Sequence, residues 1–148
     1  MMKKRPMTRS ENMARVKSRN TEPEIYFRKL LWHHGIRYRV NYKDLPGKPD
    51  IYISKHKTAV FINGCFWHMH RGCKLSTIPK TRSEFWETKL RKNVERDKTV
   101  YEELRKSGIK VVVIWGCEIK KALKDSKIED TLLQRVKTHI WGDCGRKA

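Results

Sequence analysis

The run Val111-Val112-Val113-Ile114-Trp115 is the longest wholly apolar stretch of the chain, and it restricts the fold more than any other feature. It falls far short of the roughly 20 residues a spanning helix needs, which excludes a membrane span. A strand with no polar position on either side is covered on both faces, so helices flank a sheet. The segment before it supplies one such helix. Thr81-x-x-Glu84 reads as a capping box, and Trp86, Leu90, Val94, Tyr101 and Leu104 form an apolar stripe ending at Ser107-Gly108.

The rest of the order follows from turns and periodicity. Thr21-Glu22-Pro23-Glu24 reads as a first capping box, with Glu24 reaching back to the Thr21 amide. Phe27, Leu30, Leu31 and His34 then repeat at helical spacing up to Gly35. Leu45-Pro46-Gly47-Lys48-Pro49 turns the chain into a short strand, Asp50-Ile51-Tyr52-Ile53. Lys55-His56-Lys57 links that strand to a second, Thr58 to Asn63. A weaker helix, about Ile128 to Ile140, closes the chain. Helix, hairpin, irregular Cys/His loop, helix, strand, helix is an α/β domain with a mixed sheet flanked by helices. It is expected to occupy residues 21–148, behind an N-terminal arm, residues 1–20, that holds seven Lys or Arg and one Glu.

Charge points to the partner. Lys and Arg number 35 against 16 Asp and Glu, a formal net charge of +19 on 148 residues. Duplex DNA carries one phosphate charge per roughly 1.7 Å of axis, and basic surfaces bind it by releasing condensed counterions. Membrane docking would also ask for a helix with a bulky apolar face. Thermophilic charge enrichment usually adds Glu with Lys, unlike this lopsided balance. Nucleic acid is the expected partner. The start, Met1-Met2-Lys3-Lys4-Arg5-Pro6, lacks the apolar stretch of a secretory signal, so a cytoplasmic protein is expected.

Cys65, His70 and Cys73 lie close together, and Cys117 follows the last strand. Thiolates and imidazole are the ligands of a tetrahedral structural zinc. A fourth ligand from a strand end would staple the loop to the sheet. Two disulfides, counting Cys144, or buried free thiols are the competing readings; a reducing cytosol disfavours the first.

Four polar residues are candidates for chemistry. Asp50, behind Pro49 at a strand start, suits a Mg²⁺ ligand or simply a turn. Glu24 is explained by its cap. His68 is surplus to the zinc count and is open to either a proton-transfer or a structural role. Asp97 interrupts an apolar stripe, so it needs a partner: a Lys or Arg, or His68. Phe66-Trp67 and Trp86 read as core, or as rings that stack on bases or wedge between base steps.

Cys65-Phe66-Trp67-His68, taken with Asn93-Val94-Glu95-Arg96-Asp97, resembles the very short patch repair (Vsr) DNA mismatch endonucleases. Thr8-Arg9-Ser10-Glu11-Asn12-Met13, Leu45 to Asp50 and Thr81-Arg82-Ser83-Glu84-Phe85-Trp86 extend the likeness, which runs from about Thr8 to Trp141. The resemblance implies a restriction-endonuclease-like core with a structural zinc site. It implies a strand-specific, Mg²⁺-dependent nick 5′ to the T of a T·G mismatch, the product of 5-methylcytosine deamination. Carried over, Asp50 and the Ile62 backbone carbonyl hold Mg²⁺, with two ions in use. His68 becomes the catalytic histidine, supported by Asp97 and Glu24. Phe66, Trp67 and Trp86 become the wedge; Cys65, His70, Cys73 and Cys117 hold one Zn²⁺.

Two departures stand out. Asn63 occupies the position of a second histidine in the best-known members, and the His70–Cys73 stretch is one residue longer. Phe61-Ile62-Asn63 also lacks the acidic-x-Lys pattern of ordinary nucleases of this fold. The implied setting is a bacterial cytoplasm, with a monomer on nucleoid DNA and room for a mismatch-repair coordinator protein. A non-catalytic zinc-stapled DNA-binding module, and a nicking or restriction nuclease for matched DNA, are the competing functions.

Overall fold

The structure, a computed structural model, describes residues 21–141. The basic arm 1–20 and Cys144 lie outside the described residues. Helix α1 (Glu22–His33) leads to a two-residue edge strand β1 (Arg39–Val40), then β2 (Ile51–Ile53) and β3 (Thr58–Asn63). The 24-residue helix α2 (Ser83–Lys106) connects β3 to β4 (Lys110–Trp115), followed by α3 (Gly116–Ala122) and α4 (Ser126–Trp141).

The strands form one mixed sheet in the order β1-β2-β3-β4, with β1/β2 and β2/β3 antiparallel and β3/β4 parallel. Two parallel neighbours need a long crossover, and α2 provides it. Side chains alternate along each strand, so the two faces separate cleanly. Ile51, Ile53, Val60, Ile62, Val112 and Ile114 meet α1, α3 and α4 in one core through residues such as Phe27, Leu31, Ile119 and Val136. Tyr52, Ala59, Phe61 and Val111 meet Leu104 of α2 on the other face, with Val100 and Tyr101 packed alongside. The run Val111–Trp115 is thus sandwiched between helices, and each fully buried Leu, Ile or Phe contributes about 1.5–3 kcal/mol.

Several local expectations need correction. Neither capping box forms: Thr21 and the start of α2 make no side-chain cap hydrogen bond. Glu24 turns inward instead, 4% exposed, and meets Arg28 Nη2 at 3.3 Å. The chain enters α2 through Arg82 at φ 56°, so the helix begins at Ser83 rather than behind Thr81. His34 caps α1 as an exposed residue, outside the apolar stripe. Strand β1 and helix α3 are additions, and Cys117 sits in the first turn of α3 instead of a strand end.

The loop into β2 is held by a close approach. Gly47 has φ +75°, and a Cβ there would stand 2.4 Å from Val100 of α2. A side chain at this position would therefore push apart the loop carrying Pro49-Asp50 and the helix carrying Asp97. Among the described residues, no helix is long and apolar enough to cross a membrane.

Candidate active site and metal centre

Because β2 runs against β3 and β3 runs with β4, the start of β2 and the ends of β3 and β4 share one edge of the sheet. Asp50 stands there, just before β2, and its Oδ2 accepts the Ile62 N–H at 2.7 Å. Burial pushes its carboxyl up from 3.8 to about 6; the Ile62 N–H opposes this, Glu24 adds to it, and His68 and Arg28 pull it down. Glu24, His68 and Arg28 are therefore each within electrostatic reach of Asp50. A half-buried carboxylate beside a buried one is repelled by it, and a cation between the two would relieve that repulsion. Hard oxygen donors such as the Asp50 carboxylate and a strand-end carbonyl suit Mg²⁺.

His68 lies in the loop after β3, and its Nδ1 is 2.5 Å from Asp97 Oδ2 on α2. A carboxylate can only accept, so Nδ1 carries the proton and Nε2 is left for exchange. Of the two partners the sequence allowed for Asp97, the imidazole is the one it meets. One turn along α2, Tyr101 accepts a hydrogen bond from Asn63 Nδ2 at 2.8 Å.

The aromatic residues gather beside this site. Phe66 and Trp86 are buried, and Trp67 is half-buried. Ring centroids are 5.2 Å apart for Phe66–Trp67, 5.3 Å for Phe66–Trp86 and 5.6 Å for Trp67–Trp86. Consecutive residues thus join one edge-to-face cluster, although strict alternation would have split them. Asn93 Nδ2 donates to the Trp67 carbonyl at 3.1 Å, and Lys89 Nζ stands 5.4 Å from the Trp67 ring centre. Exposed Phe85, under Arg82 at 4.2 Å, extends the cluster toward solvent. The aromatic patch therefore has a cationic rim.

Cys65, His70, Cys73 and Cys117 bring one ligand atom each to within 4.8 Å of one another. A tetrahedral zinc with Zn–S of roughly 2.3 Å sets its sulfurs about 3.8 Å apart, so the donor set fits. Among the described residues, all three cysteines are free, which removes the disulfide reading for them. Loop bonds organise the ligands: His70 N–H to the Cys65 carbonyl at 2.9 Å, and Cys73 N–H to the His70 carbonyl at 3.2 Å. Cys117 N–H points at Cys65 Sγ, 3.4 Å away. Trp115 stacks on the His70 ring at 4.1 Å and 8°. Behind them, Glu118 accepts the Trp115 N–H at 3.3 Å and pairs with Arg135 at 2.6 Å, fixing the first turn of α3. Burial pushes the Cys65 thiol up to about 12 and raises Cys117, whereas the Leu75 N–H lowers Cys73. A bound cation is what would turn the raised pair into thiolates near neutral pH.

Sequence reasoning passed over Arg28, Lys89 and the Tyr101 hydroxyl, and gave Asn93 no role beyond its place in the Asn93–Asp97 motif. Arg28 follows Glu24 by one helical turn, a spacing that signals pairing. The others gave no signal apart from ordinary helix positions.

The family profile for the DNA mismatch endonuclease Vsr matches residues 1–75. The chain is 36% identical over 136 residues to the DNA mismatch endonuclease Vsr of Escherichia coli (strain K12), covering 92% of this chain and 85% of that protein. It is 50% identical over 112 residues to the Type II nicking enzyme V.NmeAIP of Neisseria meningitidis, covering 76% and 79%. It is 41% identical over 114 residues to the Type II nicking enzyme V.XorIIP of Xanthomonas oryzae, covering 77% and 83%. Fold and similarity define the class: a DNA endonuclease, a hydrolase built on a restriction-endonuclease-like core. The chain belongs to the Vsr DNA mismatch endonuclease family.

Proposed function

We propose that this endonuclease nicks one strand of duplex DNA 5′ to the T of a T·G mismatch, by Mg²⁺-dependent phosphodiester hydrolysis. The observation that carries the reading is the meeting of Asp50, Glu24 and the His68–Asp97 pair at one sheet edge, beside the aromatic cluster.

Asp50 and the Ile62 carbonyl would hold Mg²⁺, two ions in all, and Glu24 adds negative charge that favours cation binding. Bound there, the metal would supply charge neutralisation for the reacting phosphate. Water attacks the phosphorus as the bond to the 3′ oxygen breaks, and His68, its Nδ1–H taken by Asp97, accepts a proton from that water at Nε2. Cleavage frees the 3′ oxygen and leaves the phosphate on the 5′ end of the T. Cys65, His70, Cys73 and Cys117 would hold a Zn²⁺ that keeps the loop bearing His68 and the wedge rigid. Phe66, Trp67 and Trp86 form the wedge: half-buried Trp67 meets the duplex first, and Phe66 and Trp86, buried behind it, back its ring.

Unstacking a base step costs a few kcal/mol, and a wobble pair lowers that cost. The arm 1–20 neutralises further phosphates, and residues 21–148 act as a single catalytic domain on nucleoid DNA. The enzyme works as a monomer and hands the nick over to a mismatch-repair coordinator.

The names of relatives as Type II nicking enzymes favour one second reading, a nick in matched DNA. Strand-labelled duplexes carrying a matched pair, a T·G pair or another mismatch separate the two. With Mg²⁺, the T·G duplex is expected to be nicked about 100-fold faster, the equivalent of a few kcal/mol of deformation energy. Equal rates on matched DNA would favour the second reading. Intact strands with every divalent metal would leave only a binding role.

A further inference from the structure

Arg28 has no part in the chemistry above. Glu24, Phe27, Arg28 and Leu31 recur at the spacing of one helix face, and Phe27 and Leu31 pack that face of α1 on the sheet. A guanidinium on a core-facing stripe has to be paired, because burying it bare would be very costly. Its Nη2 meets Glu24 Oε2 at 3.3 Å, with the two side chains 13% and 5% exposed. The Tyr38 hydroxyl, just before β1, donates to the Arg28 carbonyl at 2.7 Å and ties this turn of α1 to the edge of the sheet.

A buried ion pair does little for stability on its own, since desolvation offsets much of its attraction. What matters is the group it faces. The Arg28 charge reaches Asp50 and favours its ionised form, while the Glu24 charge opposes it. Two carboxylates that repel each other thus share one guanidinium, in contact with the first and within reach of the second. With Arg28 present the group carries one net negative charge instead of two. A divalent cation arriving there is attracted less, and it meets a like charge close by. A DNA phosphate would bring the missing negative charge.

We propose that Arg28 is the built-in counter-ion of the cation site: it stands beside Glu24 in place of a metal in the DNA-free enzyme and keeps that site from binding a divalent ion tightly. This rests on the reading of Asp50 and Glu24 as the carboxylates that favour Mg²⁺. Mg²⁺ then enters together with the phosphate rather than ahead of it, so the site is completed by its substrate.

Arg28→Gln removes the charge and keeps a side-chain donor for Glu24, whereas Arg28→Met removes both at similar length. Mg²⁺ binding to the DNA-free protein is followed by calorimetry and by the rise of the melting temperature with Mg²⁺, without chelator so that other metal sites stay filled. Both variants are expected to bind Mg²⁺ at least about tenfold more tightly than wild type, the scale of a charge removed at such close range. Arg28→Lys, which keeps the charge, should stay within about twofold of wild type. Without Mg²⁺, Arg28→Met should melt about 5–10 °C below wild type, because the broken pair leaves a bare charge, and saturating Mg²⁺ should return most of that loss. Adding Asp50→Asn to Arg28→Gln should cancel the gain in affinity, which assigns it to this site. Wild-type Mg²⁺ affinity in Arg28→Gln would overturn the proposal and leave the cation site standing, even where Arg28→Met does not fold. So would a melting loss in Arg28→Met that Mg²⁺ leaves unrepaired. Absence of Mg²⁺ binding in wild type and variants alike, with T·G duplex or without, would remove the cation site and the proposal with it.

Discussion

Asp50→Asn is expected to abolish Mg²⁺-dependent nicking and, at the same time, to raise the melting temperature of the Mg²⁺-free protein. The first effect follows from removing the charge that holds the cation. Charge stabilisation by a bound metal is worth several kcal/mol, so the rate should fall about 10³-fold or more. The second follows from burial. The Asp50 carboxyl moves from 3.8 to about 6 because its environment disfavours the anion. Stability from the protonated form is complete below about pH 4 and is lost as pH rises through about 6. At about 1.4 kcal/mol per unit, the ionised group costs up to about 3 kcal/mol near pH 7. Asn is neutral and still offers Oδ1 to the Ile62 N–H. Its advantage should reach up to roughly 10 °C above pH 7 and vanish near pH 4. Thermal melts from pH 4 to 8, in Mg²⁺-free buffer without chelator so that other metal sites stay filled, check this. A variant that melts below wild type at pH 7.5, or that still nicks, would remove Asp50 from this role.

Stripping the metal from the Cys65, His70, Cys73 and Cys117 group should have the other large effect. Apparent binding energies of structural zinc in small domains reach about 10–16 kcal/mol. Here the two sheet cores are packed independently of the loop, so only part of that energy is felt by the whole fold. Prolonged chelation, or Cys117→Ser, is expected to lower the melting temperature by more than about 10 °C, since a few kcal/mol suffice for that. Tryptophan emission should change, because Trp67 lies in the loop, Trp86 packs on Phe66 and Trp115 stacks on His70. Helical circular dichroism should largely survive, while nicking should fall below detection once His68 loses its anchor. One equivalent of zinc by elemental analysis should restore all three signals. Purified protein with no zinc and full activity would contradict the assignment.

What could be read beforehand follows a physical pattern. The Val111–Trp115 strand and the α2 stripe were legible because burial is written into long, periodic apolar patterns. Asp97 was legible for the opposite reason: a carboxylate on an apolar stripe needs a partner. Strand β1 was not, since Arg39 and Val40 are both exposed and owe their conformation to pairing with Tyr52 and Ile51. Helix α3 is seven residues starting directly at Gly116, too short to show a period. Both capping boxes were plausible local chemistry that tertiary structure overrode. In the first, the packed site draws Glu24 inward; in the second, Arg82 sets the turn. Tyr101 was counted as core for its ring, and a sequence does not show which residue its hydroxyl meets.

The central claim is that Asp50 and His68 serve one and the same phosphodiester. Single-turnover nicking of a strand-labelled T·G duplex by Asp50→Asn, His68→Ala and the double variant tests it most directly, with duplex binding measured alongside in Ca²⁺. Groups that act as a unit are grossly non-additive. His68→Ala alone should lose about 10²–10⁴-fold, the usual worth of a positioned proton-transfer group. The double variant should be no slower than the slower single one, and binding should be unchanged. Losses that multiply, or wild-type nicking by His68→Ala, would contradict the claim.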